Sequence, residues 1–218
     1  MKNDHSKQAE ELLKQLEFLF EKYSNEPRAM TQPYILQRVM DKVVGYKYHP
    51  DDILVRETLM EHVGSLPVFA TAFYPHIQDD NVDLGRALIM IAIHDIGELI
   101  THDEMSFTKQ DSAKDPEHEA ALSLLDKSYH GLYEDVESQT SPTAKFAKAI
   151  DKITPDILEY FSPADITLRR YKHFLGLENI DEIIELIEKK KQPYMQWNPF
   201  MTTFHKLLLE KLSAKLKA

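Results

Sequence analysis

Residues 91 to 105 read IAIHDIGELITHDEM, an apolar run that ends at His94 and Asp95, with Glu98, His102, Asp103 and Glu104 close behind. Imidazole nitrogens and carboxylate oxygens are the donors that hold divalent cations, and a carboxylate beside such a site is a base for water. On a helix, adjacent side chains diverge by roughly 100°, so His94 and Asp95 can both reach one point in a cleft at a helix end. Glu98 stands four residues after His94 and three after Asp95, one turn along on the same face, where it is placed to activate a water. A nitrogen and oxygen donor set of this kind suits Mn, Fe, Co, Ni or Zn. The competing reading is a core hydrogen bond in which the carboxylate fixes the imidazole tautomer, because buried charged groups are normally paired. Two other residues bear on the choice: RETLMEHV places His62 on an apolar-faced helix, and FAKAIDKITPDI places Asp151 between Ala149, Ile150 and Ile153 on another. Taken singly, each of these is an ordinary satisfied core residue.

The elements that must carry these residues are helical. Six glycines in 218 residues, and long stretches rich in Leu, Glu, Lys and Ala, favour an all-α chain. Leu12, Leu13, Leu16, Leu19, Phe20 and Tyr23 recur at helical spacing and form a first amphipathic helix, ended by SNEP. A second helix is expected from Pro33 to about Tyr46, then a turn at YHPDD. A third, carrying His62, is expected from about Glu57 to Tyr74, where Pro75 should stop it. Residues Asp83 to Ile100 are apolar on nearly every side, the pattern of one helix buried in a bundle, with His94 and Asp95 near its end. The polar stretch EMSFTKQDSAKDP reads as a loop, followed by one helix from about Pro116 to Tyr133. Another opens at SPTAKF, with a capping serine before proline, and contains Asp151. The runs IDEIIELIEKK and FMTTFHKLLLEKLSAKL add two or three more.

Composition removes several function classes. Lys plus Arg number 26 against 36 Asp plus Glu, a formal charge of −10, which argues against nucleic acid or an anionic membrane as partner. The absence of cysteine excludes disulfides and thiolate metal sites, so any metal is held by His, Asp, Glu and water. The charged, helical N-terminus and the lack of an apolar run of about 18 residues lead to the expectation of a soluble cytoplasmic protein.

His62, His94-Asp95 and Asp151, in this order and at these separations, resemble the H…HD…D pattern of the HD-domain metal-dependent phosphohydrolases. The resemblance covers roughly residues 35 to 165. It implies an HD-type helical bundle with its core at about 35–165; residues 1–218 are read as one such domain, with accessory helices at 1–34 and 163–218 that compact members of the family lack. By the same resemblance His62, His94, Asp95 and Asp151 are the ligands of one divalent ion, from the set Mn, Co, Fe, Ni, Zn and Mg. Within the family the chain is most similar to the 5′-deoxynucleotidase branch of YfbR-like and HDDC-type proteins. The branch segment V-R-x-E-x-V-x-E-H stands here as VRETLMEH, one residue shorter. Its HD-x-x-E-x-x-x-x-D run is matched by His94, Asp95, Glu98 and Asp103.

That likeness implies that Glu98 orients or deprotonates the attacking water and that Asp103 shares this role or grips the sugar. Lys109 falls where the branch carries a lysine in the loop beside the site. The branch holds phosphate with an arginine commonly followed by tryptophan; this chain has no such pair, and Arg38 and Arg56 are the candidates. The implied activity is a phosphomonoesterase on nucleoside or deoxynucleoside 5′-monophosphates. The alternatives are an alarmone or other phosphate-ester hydrolase, and a non-catalytic nucleotide sensor. RRYKH, residues 169–173, reads as a solvated helical face, and Lys189 to Lys191 as charge at a helix C-terminus. Tyr194, Met195, Trp197, Phe200, Met201 and Phe204 read as core of the C-terminal helices, a homodimer contact or a lid being the other reading.

Overall fold

The computed structural model describes residues 5–25, 59–101 and 114–218. Among the described residues there are ten helical segments and no strand: α1 (His5–Asn25), α2 (Leu59–Ile77), α3 (Leu84–Ile93), α4 (Glu98–Thr101), α5 (Lys114–Leu124), α6 (Lys127–Ser138), α7 (Pro142–Phe161), α8 (Ala164–Leu175), α9 (Ile180–Met195) and α10 (Pro199–Lys217). The expected all-α chain is what folds, with α4 a single turn of four residues. The expected helix at 33–46 and the YHPDD turn lie outside the described residues.

The helix ends follow from local chemistry. Asp83, Asp126, Asn179 and Asn198 each accept a backbone N–H of the first turn they precede, satisfying donors that a helix start leaves open. Ser141 does the same ahead of Pro142, its hydroxyl accepting from the Ala144 N–H at 3.0 Å. Gly176 closes α8 in the left-handed region at φ 69°, where a residue without Cβ is unstrained.

Three expected boundaries are corrected. Pro75 does not stop α2, which continues to Ile77 and ends where Gln78 turns to φ 52°. A proline one turn from the end removes one ladder hydrogen bond without forcing the chain out of the helix. The helix expected at 83–100 ends at Ile93. The helix expected at 116–133 is two, because Asp126 caps a fresh start: its carboxylate accepts from both the N–H and the hydroxyl of Ser128, at 2.9 and 2.5 Å.

The chain forms two compact units, Leu66–Lys152 and, separately, Met1–Ser65 with Ile153–Ala218. In the first, Phe73, Met90, Ile91, Tyr133, Phe146 and Ile150 are buried. Here α3 lies against α6 and α4 against α5, and Tyr74 meets Phe146 edge-on at 6.2 Å. The Thr143 hydroxyl accepts from the Asp83 N–H at 3.0 Å and donates to the Asn81 carbonyl at 3.2 Å, tying the start of α7 to the segment before α3.

In the second unit α10 packs against α1, α8 and α9. Met195, Phe200, Met201 and Phe204 are buried as core, while Tyr194 and Trp197 of the same run are half-buried. Lys215 donates to the carbonyls of Tyr160 and Ser162, satisfying the C-terminus of α7 with a cation. In RRYKH, Arg169 pairs with Asp165, Arg170 with Glu159 and Lys172 with Glu178, while Tyr171 is buried. These cations are matched by the unit's own carboxylates. Lys191 departs from expectation: α9 continues past it to Met195, which leaves it inside the helix and buried.

Candidate metal centre

After Ile93 the backbone tightens. The N–H groups of Ile96, Glu98 and Leu99 donate to the carbonyls three residues back, at 3.2, 3.0 and 3.3 Å, so His94 to Gly97 form turns and not a fourth turn of α3. Gly97 explains why the chain tolerates this path. A Cβ there would stand 2.3 Å from the Glu117 carbonyl oxygen, so glycine is what lets the turn approach the backbone of α5. The stop in α3 points His94 inward and leaves Glu98 buried at the start of α4.

The structure brings together the four residues that the resemblance named. His62, His94, Asp95 and Asp151 each offer one ligand atom, and these atoms lie within 4.8 Å of one another. His94 is buried, with Nδ1 2.8 Å from the Ile91 carbonyl oxygen, so that nitrogen is the protonated donor. Its Nε2 faces Asp95 Oδ2 at 3.0 Å and Asp151 Oδ1 at 3.4 Å. Burial alone would lower the His94 pKa, but the charge and hydrogen bonding of Asp151, then of Asp95, outweigh it and raise it to about 9. Two imidazoles and two carboxylates converging in this way, with the outer nitrogen of one imidazole fixed by a backbone carbonyl, fit a divalent cation in donor chemistry and in tautomer.

Of the other expected residues, Glu98 is buried on α4, while Asp103, Lys109, Arg56 and Arg38 lie outside the described residues. The His118 ring lies tilted against Tyr133, 5.4 Å between ring centroids, and His130 Nε2 lies 3.2 Å from the Leu125 carbonyl oxygen.

Two residues escaped the sequence reading. Tyr133 of α6 is buried, and its pKa is pushed well up by burial first and then by Glu137, Glu117, Asp95 and Glu98. Its hydroxyl therefore stays protonated in an acidic surround. Lys152 places Nζ 2.8 Å from Asp151 Oδ2. Nothing in the spacing announces either, since Tyr133 is remote in sequence from the centre and adjacent helical side chains do not ordinarily face each other.

A family model described as the HD domain matches residues 49–174, more than half of the chain. The chain belongs to the HD-domain family. The HD domain here folds like a solved structure, that of a protein from Magnetospirillum magnetotacticum MS-1 named a predicted metal-dependent phosphohydrolase. The TM-score is 0.54 at 21% identity, over 77% of this chain and 85% of that one. No curated protein matches the sequence. Among the described residues no helix of this HD domain is long and apolar enough to cross a membrane.

Proposed function

We propose that the chain is a divalent-metal-dependent phosphohydrolase whose substrates are nucleoside or deoxynucleoside 5′-monophosphates. The observation that carries the reaction class is the convergence of His62, His94, Asp95 and Asp151 within 4.8 Å, with a buried carboxylate, Glu98, one turn beyond the His-Asp pair. An intact donor set favours turnover over mere sensing, and the fold shared with a protein named as a phosphohydrolase supports the same class. The nucleotide preference rests on the run His94, Asp95, Glu98 and Asp103 and its likeness to the 5′-deoxynucleotidase branch.

His62, His94, Asp95 and Asp151 would hold a divalent ion, which would supply Lewis acidity for phosphoryl transfer to water. Glu98, as a buried carboxylate, takes the proton of the attacking water. His94 presents Nε2 to the centre because the Ile91 carbonyl holds its Nδ1–H. Tyr133 stays protonated beside the carboxylates of Asp95 and Glu98. Lys109, with Arg38 or Arg56, neutralises charge on the transferring phosphoryl group in this reading. The products are inorganic phosphate and a nucleoside.

The test is phosphate release by the purified chain from ribo- and deoxyribonucleoside monophosphates, alarmones and a generic phosphate ester, with added Mn, Co or Mg. Metal-dependent release that Asp95→Ala abolishes is the expected result, with the monophosphates turned over fastest. Unchanged release by Asp95→Ala would overturn the metal assignment, and preference for alarmones would overturn the substrate class.

A further inference from the structure

We propose that Lys152 is a positioning residue of the metal centre. Its ammonium holds Oδ2 of Asp151, leaving Oδ1 as the oxygen turned toward His94.

Asp151 is fixed at the backbone by its neighbours on α7, since Ala149, Ile150 and Ile153 are fully buried. Its carboxylate is less constrained, because rotation about the terminal torsion of an aspartate is broad and roughly two-fold. The two oxygens are nevertheless in different surroundings: Oδ1 lies 3.4 Å from His94 Nε2, and Oδ2 lies 2.8 Å from Lys152 Nζ. The side chain of Asp151 is 7% exposed, so an ionised oxygen that no cation reached would be costly there.

The ion pair is not a by-product of helix geometry. Consecutive residues on a helix point about 100° apart, and a lysine usually extends into solvent. Lys152 instead reaches its neighbour Asp151, with its side chain 23% exposed. Lys148, one turn earlier, is engaged elsewhere, with Glu137 at 2.8 Å. Partners that orient a ligand from outside its coordination shell typically set metal affinity by about 10- to 100-fold.

Electrostatics makes the opposite forecast, which gives the test its sign. A lysine ammonium beside the centre repels a divalent cation, so if charge were its whole contribution, removing it would tighten metal binding. If it orients Asp151, removing it weakens binding. The experiment is Mn²⁺ titration by calorimetry of the full-length wild type, Lys152→Met, Lys152→Arg and Asp95→Ala, with thermal melting of each protein in chelator.

Weakening by at least about tenfold in Lys152→Met, with recovery to within about threefold in Lys152→Arg and little change in melting, is the expected result. Equal or tighter binding by Lys152→Met overturns the role of Lys152 while leaving the metal centre standing. A wild type that binds no Mn²⁺ overturns the role and the centre together. Should Lys152→Met fail to fold, Lys152→Gln, which keeps a donor but loses the charge, decides: retained affinity supports orientation, and tighter binding overturns it.

Discussion

His94 meets Asp95 and Asp151 through the same nitrogen that a cation would use. Its pKa is about 9 without a bound ion, so between neutrality and pH 9 the imidazole carries a proton that binding must displace. The stability this shift contributes is present below the ordinary value of 6.5 and lost as pH rises through about 9. Apparent metal affinity should therefore climb by up to about tenfold per pH unit from 7 toward 9, with close to one proton released. Calorimetry in two buffers of different ionisation enthalpy reads that proton directly; affinity flat across this range would mean His94 does not carry it. The four converging residues were legible in sequence through their likeness to the H…HD…D pattern, since His62 and Asp151 taken singly read as ordinary core residues. Lys152 was not, because adjacent residues on a helix do not ordinarily face one another.

Helix identity was readable from periodicity, while helix ends depended on chemistry that periodicity does not report. The break at Asp126 needed its cap with Ser128 to be weighed above an apolar pattern that runs on through it. The stop at Ile93 is tertiary in origin, imposed where Gly97 meets the backbone of α5. Two glycine substitutions separate these cases. Gly97→Ala puts a methyl 2.3 Å from the Glu117 carbonyl oxygen, and backbone cannot yield as a flexible side chain does. It should cost about 1–3 kcal/mol in denaturant unfolding and weaken metal binding, because α4 and Glu98 must move. Gly131→Ala, inside α6 with nothing within 4 Å, should stabilise by about 0.5–1 kcal/mol and leave metal binding alone. Reversal of that ranking in paired urea titrations would show that the close approach of α4 and α5 is not what fixes the turn.

The two compact units differ in what they bury. Leu66–Lys152 holds His94, Asp95, Glu98 and Asp151, whereas in the other unit Asp156, Thr167 and His205 are buried in a helical core and Glu159 is half-buried. Glu159 accepts from the Thr167 hydroxyl at 2.8 Å and lies 3.5 Å from Arg170, yet its pKa is raised. Burial is the largest cause and outweighs Arg170, Thr167 and Lys215, with Asp156 adding to the rise. A carboxyl whose folded pKa is raised stabilises the fold below its ordinary value of 4.5 and loses that contribution as pH rises through the folded value. Above that folded value the unit carries an ionised carboxylate that its surroundings disfavour. Glu159→Gln keeps an acceptor for Thr167 and removes the charge, so the variant should melt at a higher temperature than wild type at pH 7.5. The gap should narrow as pH falls toward 4.5, because both proteins then present a neutral group to the same core. Melting curves at half-unit pH steps would decide it: a gap that stays constant, or a variant less stable at pH 7.5, would show that the pair with Arg170 outweighs the burial of the charge.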